Sequence, residues 1–159
     1  MAKKKNLLSR DTVRLLRKIQ KFLIAEPRRF NMFEGVEPAE GKVGKLYLAG
    51  VAHLLEEPPC GTACCIAGAG YVIDKNLQLN QTSVPWQKVH SLFTDKYRLS
   101  EDQIDRLFYT SLQAGSTSSF SGSWPKLYSE AYRNAKTPLE RACVGVARIE
   151  HFISTDGRE

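Results

Sequence analysis

From Ala63 to Ile73 the chain runs Ala-Cys-Cys-Ile-Ala-Gly-Ala-Gly-Tyr-Val-Ile without one charged residue. Pro58-Pro59 stops whatever precedes this stretch, and Cys60-Gly61-Thr62 offers cap-like residues, so the pattern predicts a helix over Cys64 to Ile73 that crosses the centre of the molecule. The small side chains of Ala67, Gly68, Ala69 and Gly70 let another helix approach closely. Three of the four cysteines cluster at its start, and they admit two readings. A thiol at a helix N-terminus loses its proton more easily, which makes Cys60 a candidate nucleophile. Cysteine also fills tight interiors as a small hydrophobe, and Cys64, Cys65 and Cys143, with apolar neighbours such as Ile66 and Val144, are expected to be reduced packing residues.

The other segments are helical too. Leu15, Leu16, Ile19, Phe22 and Leu23 recur at helical spacing opposite Arg10, Arg14, Arg17, Lys18 and Lys21, which predicts a basic amphipathic helix over 10–25, ended by Pro27. Residues 31–45, punctuated by Gly35, Pro38, Gly41 and Gly44, read as an irregular connection. Leu46 to Leu55 suits a short strand or a helix. Ser83 and Pro85 open a helix with Trp86, Val89 and Phe93 inward, and Ser100-Glu101-Asp102-Gln103 is a capping box before Ile104, Leu107 and Phe108. Thr110 to Ser123 is a long Ser/Thr/Gly loop. Trp124-Pro125 starts a short helix to about Asn134, and Thr137-Pro138-Leu139-Glu140 starts the last, with Leu139, Ala142, Cys143, Val146, Ile149 and Ile153 on one face until Gly157. The expected fold is a single compact all-α domain of about six helices around the small-residue, Cys-rich helix, spanning 9–157 behind a flexible basic tail, 1–8.

These fragments resemble a group of uncharacterised small proteins of bacteria and their phages. Glu26-Pro27 with Phe30-Asn31-Met32, Cys60-Gly61-Thr62-Ala63-Cys64-Cys65-Ile66-Ala67-Gly68, Leu107-Phe108, Trp124-Pro125 and Arg148-Ile149-Glu150-His151-Phe152-Ile153 carry the likeness over about three-quarters of the chain. That group shares a Cys-Gly-Thr-x-x-Cys-Ile/Phe-Ala-Gly core and a terminal Arg-Ile-x-x-Phe-Ile helix. The resemblance implies a mostly helical fold. Residues 34–57 are longer than the pattern, and Ala69-Gly70 stands where a larger residue such as Trp or His is common.

Net charge is +6, unevenly spread: residues 1–30 hold ten Lys/Arg against Asp11 and Glu26, and the remainder is slightly acidic. An electrostatic partner is therefore expected at Lys3, Lys4, Lys5, Arg10, Arg14, Arg17, Lys18 and Lys21, where nucleic acid or an acidic protein would bind. No Walker or dinucleotide phosphate loop is present, since Gly61 to Gly70 lacks both spacing and lysine. A thiol enzyme using Cys60 would need a histidine base from His53, His90 or His151. The Cys60-x3-Cys64-Cys65 spacing does not announce zinc, and no metal or cofactor is expected. Met1-Ala2-Lys3-Lys4-Lys5 lacks the apolar core of a secretory signal and no apolar run approaches a membrane span, so a cytoplasmic protein without a membrane span is expected. A non-enzymatic binding or regulatory protein is the leading expectation; the alternative is a thiol-dependent hydrolase or transferase.

Overall fold

Ser9 starts the first helix by accepting the Thr12 amide at 3.0 Å, and the apolar repeat behind it holds α1 from Arg10 to Ala25. The computed structural model describes residues 7–30, 32, 37–38, 62–63, 65–77, 86–108 and 124–159. The readings for 1–6, most of 31–45, Leu46 to Leu55 and Thr110 to Ser123 lie outside these. Among the described residues the fold is a single compact all-α unit with six α-helices: α1, α2 (Ile66–Lys75), α3 (Trp86–Ser91, continued by a π turn over Leu92–Lys96), α4 (Glu101–Phe108), α5 (Lys126–Asn134) and α6 (Pro138–Ser154). Pro27 opens a single 3-10 turn, Pro27–Arg29, and Glu37–Pro38 pairs antiparallel with Thr62–Ala63 over two residues.

Helix starts follow the residues that cap them. Thr137 and Glu140 exchange bonds at the start of α6, and Ser100 with Gln103 does the same at α4, both as their sequences require. The start of α2 differs from expectation. Cys60, Gly61 and Cys64 lie outside the described residues, and Thr62–Ala63 is extended; the cap is Cys65, its Sγ accepting the Gly68 amide at 3.5 Å, and no cysteine lies within Ile66–Lys75.

α1 lies against both α2 and α6, burying Leu15, Leu16, Ile19 and Leu23, while α6 also packs on α4 and α5. Close approach needs glycine at two points. A Cβ on Gly70 of α2 would fall 2.6 Å from Phe93 Cζ and 3.1 Å from Ile19 Cδ1, and one on Gly145 of α6 would fall 2.7 Å from Phe30 Cζ. Aromatic side chains tie the rest of the core together. Tyr132 meets Trp124 and Phe30 edge-on at 6.0 and 5.7 Å, its hydroxyl accepts the Met32 amide at 2.9 Å, and Phe93 packs on Phe108 at 4.5 Å.

The buried face of α6 is rotated from the expected one. Ala142, Gly145, Arg148, Ile149 and Phe152 face the core, whereas Leu139 is 52% exposed, Cys143 is exposed, and Val146 and Ile153 are half-buried. Counting only apolar side chains skips Gly145 and Arg148, and those two complete the buried stripe. The expected inaccessibility of Cys143 is thereby corrected; Cys65 is buried, and burial pushes its thiol up.

A polar clasp joins α2 to the π turn. The Asp74 carboxylate, 4% exposed, accepts from Lys96 Nζ at 2.6 Å and from the Tyr97 hydroxyl. Burial pushes Asp74 up, but the bonds from Lys96 and Tyr97 and the charges of Lys96 and Lys75 outweigh it and hold the carboxyl below its usual range. A carboxylate held low in the folded chain stabilises it above the ordinary carboxylate range, and that contribution is lost as pH falls through the lowered value. Asp74→Asn should thus lower the thermal midpoint at neutral pH and flatten its decline as pH falls below about 4. Parallel acid limbs for the two proteins would show that the clasp contributes nothing.

Candidate nucleic-acid interface

Positions three and four apart share a helix face, so Arg10, Arg14, Lys18 and Lys21 form one stripe along α1, and all four are exposed. At ~1.5 Å per residue the stripe is about 16 Å long. Asp11, the one carboxylate in the helix, sits 3.4 Å from Arg14 with both side chains in water, a pairing of little strength. The opposite face of the helix is committed to the core, so α1 has no apolar side left to lay on a membrane.

Arg17 differs from its neighbours. Both of its terminal nitrogens donate to Glu150 of α6, the Nη2–Oε1 distance being 2.9 Å, and Gln20 donates from Nε2 to the same carboxylate at 3.2 Å and to the Val146 carbonyl at 3.1 Å. The hydrogen bond to Glu150 raises the Arg17 pKa, and the same bond holds the Glu150 carboxyl low. Of the basic side chains read from the sequence, Arg17 is thus an interhelix clamp. Lys3, Lys4 and Lys5 lie outside the described residues.

The thiol-enzyme candidates are not assembled by what is described. Cys60 and His53 lie outside it; His90 Nε2 is 2.8 Å from Glu101 Oε2, and His151 Nε2 is 3.2 Å from Glu159 Oε2 beside the Tyr128 ring. Among the described residues no three His, Cys, Asp or Glu side chains converge as metal ligands, and no helix is long and apolar enough to cross a membrane.

Two features escaped the sequence reading. Arg148 is 0% exposed; its Nη2 donates to the Arg106 carbonyl at 2.7 Å, the Tyr128 and Phe152 rings lie 5.8 and 5.7 Å from its guanidinium, and among the described residues Nε and Nη1 have no hydrogen-bond partner. Burial pushes its pKa down to about 10, so it remains a cation at neutral pH. Its place three residues after Gly145 and four before Phe152 is the signal in the sequence. The second feature is a groove at the N-terminal end of α1, with a volume of about 410 Å³, bounded by Leu7 to Ser9 and by the turn into α4. It draws on segments some ninety residues apart, and periodicity within any one helix does not reveal it.

Comparison of the chain with family models, with curated proteins and with solved structures finds no match.

Proposed function

We propose that this is a small non-enzymatic binding protein that engages nucleic acid through the solvent face of α1. The observation that carries the reading is the stripe of four exposed cations, Arg10, Arg14, Lys18 and Lys21, on a helix whose other face is fixed in the core. A rigid row of cations neutralises successive phosphates and releases their counterions, which supplies affinity without base contacts. The rest of the chain is slightly acidic, which orients a polyanion toward this end.

Fluorescence anisotropy with labelled oligonucleotides across a salt series tests the reading. Wild-type protein should bind at low ionic strength and weaken steeply as salt rises. Arg14→Glu combined with Lys18→Glu should reduce affinity at least about tenfold and flatten the log–log salt slope by about two, one unit per lost phosphate contact. The helix should persist, because both side chains face water. Absence of salt-sensitive binding to duplex DNA, single-stranded DNA and RNA alike would sink the proposal.

A further inference from the structure

Three buried polar atoms that find no hydrogen-bond partner among the described residues fall within one turn of α6: Arg148 Nε, Arg148 Nη1 and His151 Nδ1. Residues three apart share a helix face, and both side chains meet the same neighbour, the Tyr128 ring of α5, 5.8 Å from the Arg148 guanidinium and 5.4 Å from the His151 ring. Interiors normally satisfy their polar groups and pair their charges. Arg148 is 0% exposed, and the Arg106 carbonyl on its Nη2 is neutral. The Tyr128 and Phe152 faces offset part of the cost of burying the charge, but a ring face has no lone pair to offer the remaining N–H groups. Glu159, whose charge reaches Arg148, is itself 67% exposed and lies 3.2 Å from His151 Nε2, while Arg106 brings a second positive charge.

A water molecule at this place would fill hydrogen bonds and leave the charge unmatched. An oxyanion supplies both the lone pairs and the counter-charge, and its bonds from a guanidinium are of the stronger, charge-assisted kind. We infer that Arg148 and His151 form a site for a small oxyanion, a phosphate or a carboxylate, entered past Tyr128. Tyr128 and His151 are both half-buried, so the cluster opens to solvent on their side, and the first turn of α5, which carries Tyr128, has no side-chain cap to hold it. Nε and Nη1 of a guanidinium carry three N–H donors in its plane, enough for more than one oxygen of the same anion. His151 Nδ1 bonds that anion in either protonation state, as acceptor from a phosphate hydroxyl or as donor to an oxygen. The site is separate from α1 and does not rest on the nucleic-acid reading.

Isothermal titration of the full chain with inorganic phosphate, and in a second arm with acetate, at constant ionic strength tests the inference. At least one of the two should bind saturably, at about one ion per chain, and raise the thermal midpoint above its value in chloride, since a ligand of the folded state stabilises it by mass action. Preference for phosphate assigns the site to phosphate groups, and preference for acetate assigns it to carboxylates. Arg148→Met keeps the apolar stem and removes the charge, and it should abolish binding. If that variant folds poorly, His151→Leu carries the test from a half-exposed position; it should weaken binding about tenfold, the scale of one hydrogen bond to a charged group. Arg14→Glu with Lys18→Glu should leave the affinity unchanged. Heat without saturation for both anions, or an equal rise of midpoint in wild type and Arg148→Met, is the general action of excluded salts and overturns the inference. Affinity untouched by the α6 variants, or lost in the α1 variant, overturns it as well.

Discussion

Truncating Trp124 to alanine is expected to cost about 3–5 kcal/mol, the scale for deleting a fully buried aromatic side chain. The indole is 1% exposed, packs edge-on against Tyr132, and donates from Nε1 to the Leu107 carbonyl at 2.7 Å. Two losses combine in the variant: a cavity opens where α5 begins, and the carbonyl at the end of α4 is stranded without a donor. Urea titration followed by circular dichroism measures the sum. Trp124→Phe separates the parts, since it keeps most of the ring volume and removes only the donor, at about 1–3 kcal/mol. A Trp124→Ala midpoint within error of wild type would show that the α4–α5 junction is not part of the cooperative core.

Gly145→Leu acts in the opposite direction, by overfilling. Even a methyl at this position would lie 2.7 and 2.8 Å from the Phe30 ring and 3.2 Å from Leu23 Cδ1, so α6 has to move off α1 or Phe30 has to leave its place. Either movement disturbs the edge contact of Phe30 with Tyr132 and, through Tyr132, the bond that holds the Met32 amide. Overpacking of this kind costs about 1–3 kcal/mol and sometimes more, and leucine belongs at the upper end. Phe30→Leu combined with Gly145→Ala should recover part of the loss of the single Gly145→Ala change, because the two positions touch. Strict additivity of the pair would show that the ring and the helix do not compete for the same space.

Elements that are specified by their own residues are legible in the sequence. The period of α1, the reciprocal caps at Ser100 and Thr137, and the inward Val89 and Phe93 all depend on neighbours within a turn or two. What failed depended on distant partners. The start of α2 moved to Cys65 because Thr62–Ala63 pairs with Glu37–Pro38, a contact without a local signature. The core face of α6 turned because a glycine and an arginine, neither of them apolar in a simple pattern, occupy it. The same division holds at the candidate interface. The stripe of cations is a local repeat and is legible directly, whereas the pairing of Arg17 with Glu150 and the groove of Tyr97 to Ser100 beside Leu7 each need a distant segment.

The packing of α1 on α6 has a consequence for how the chain is made. Arg17 finds Glu150 across 133 positions and Gln20 finds Val146 across 126, so a first helix waits for a last one. A 16-residue helix is marginal by itself, and synthesis at ~5–20 residues per second leaves it without this partner for about 6–25 s. Throughout that interval Leu16, Ile19 and Leu23 lack their final cover. A chain that stops before Pro138 would keep this seam open, with the apolar face of its first helix uncovered on that side.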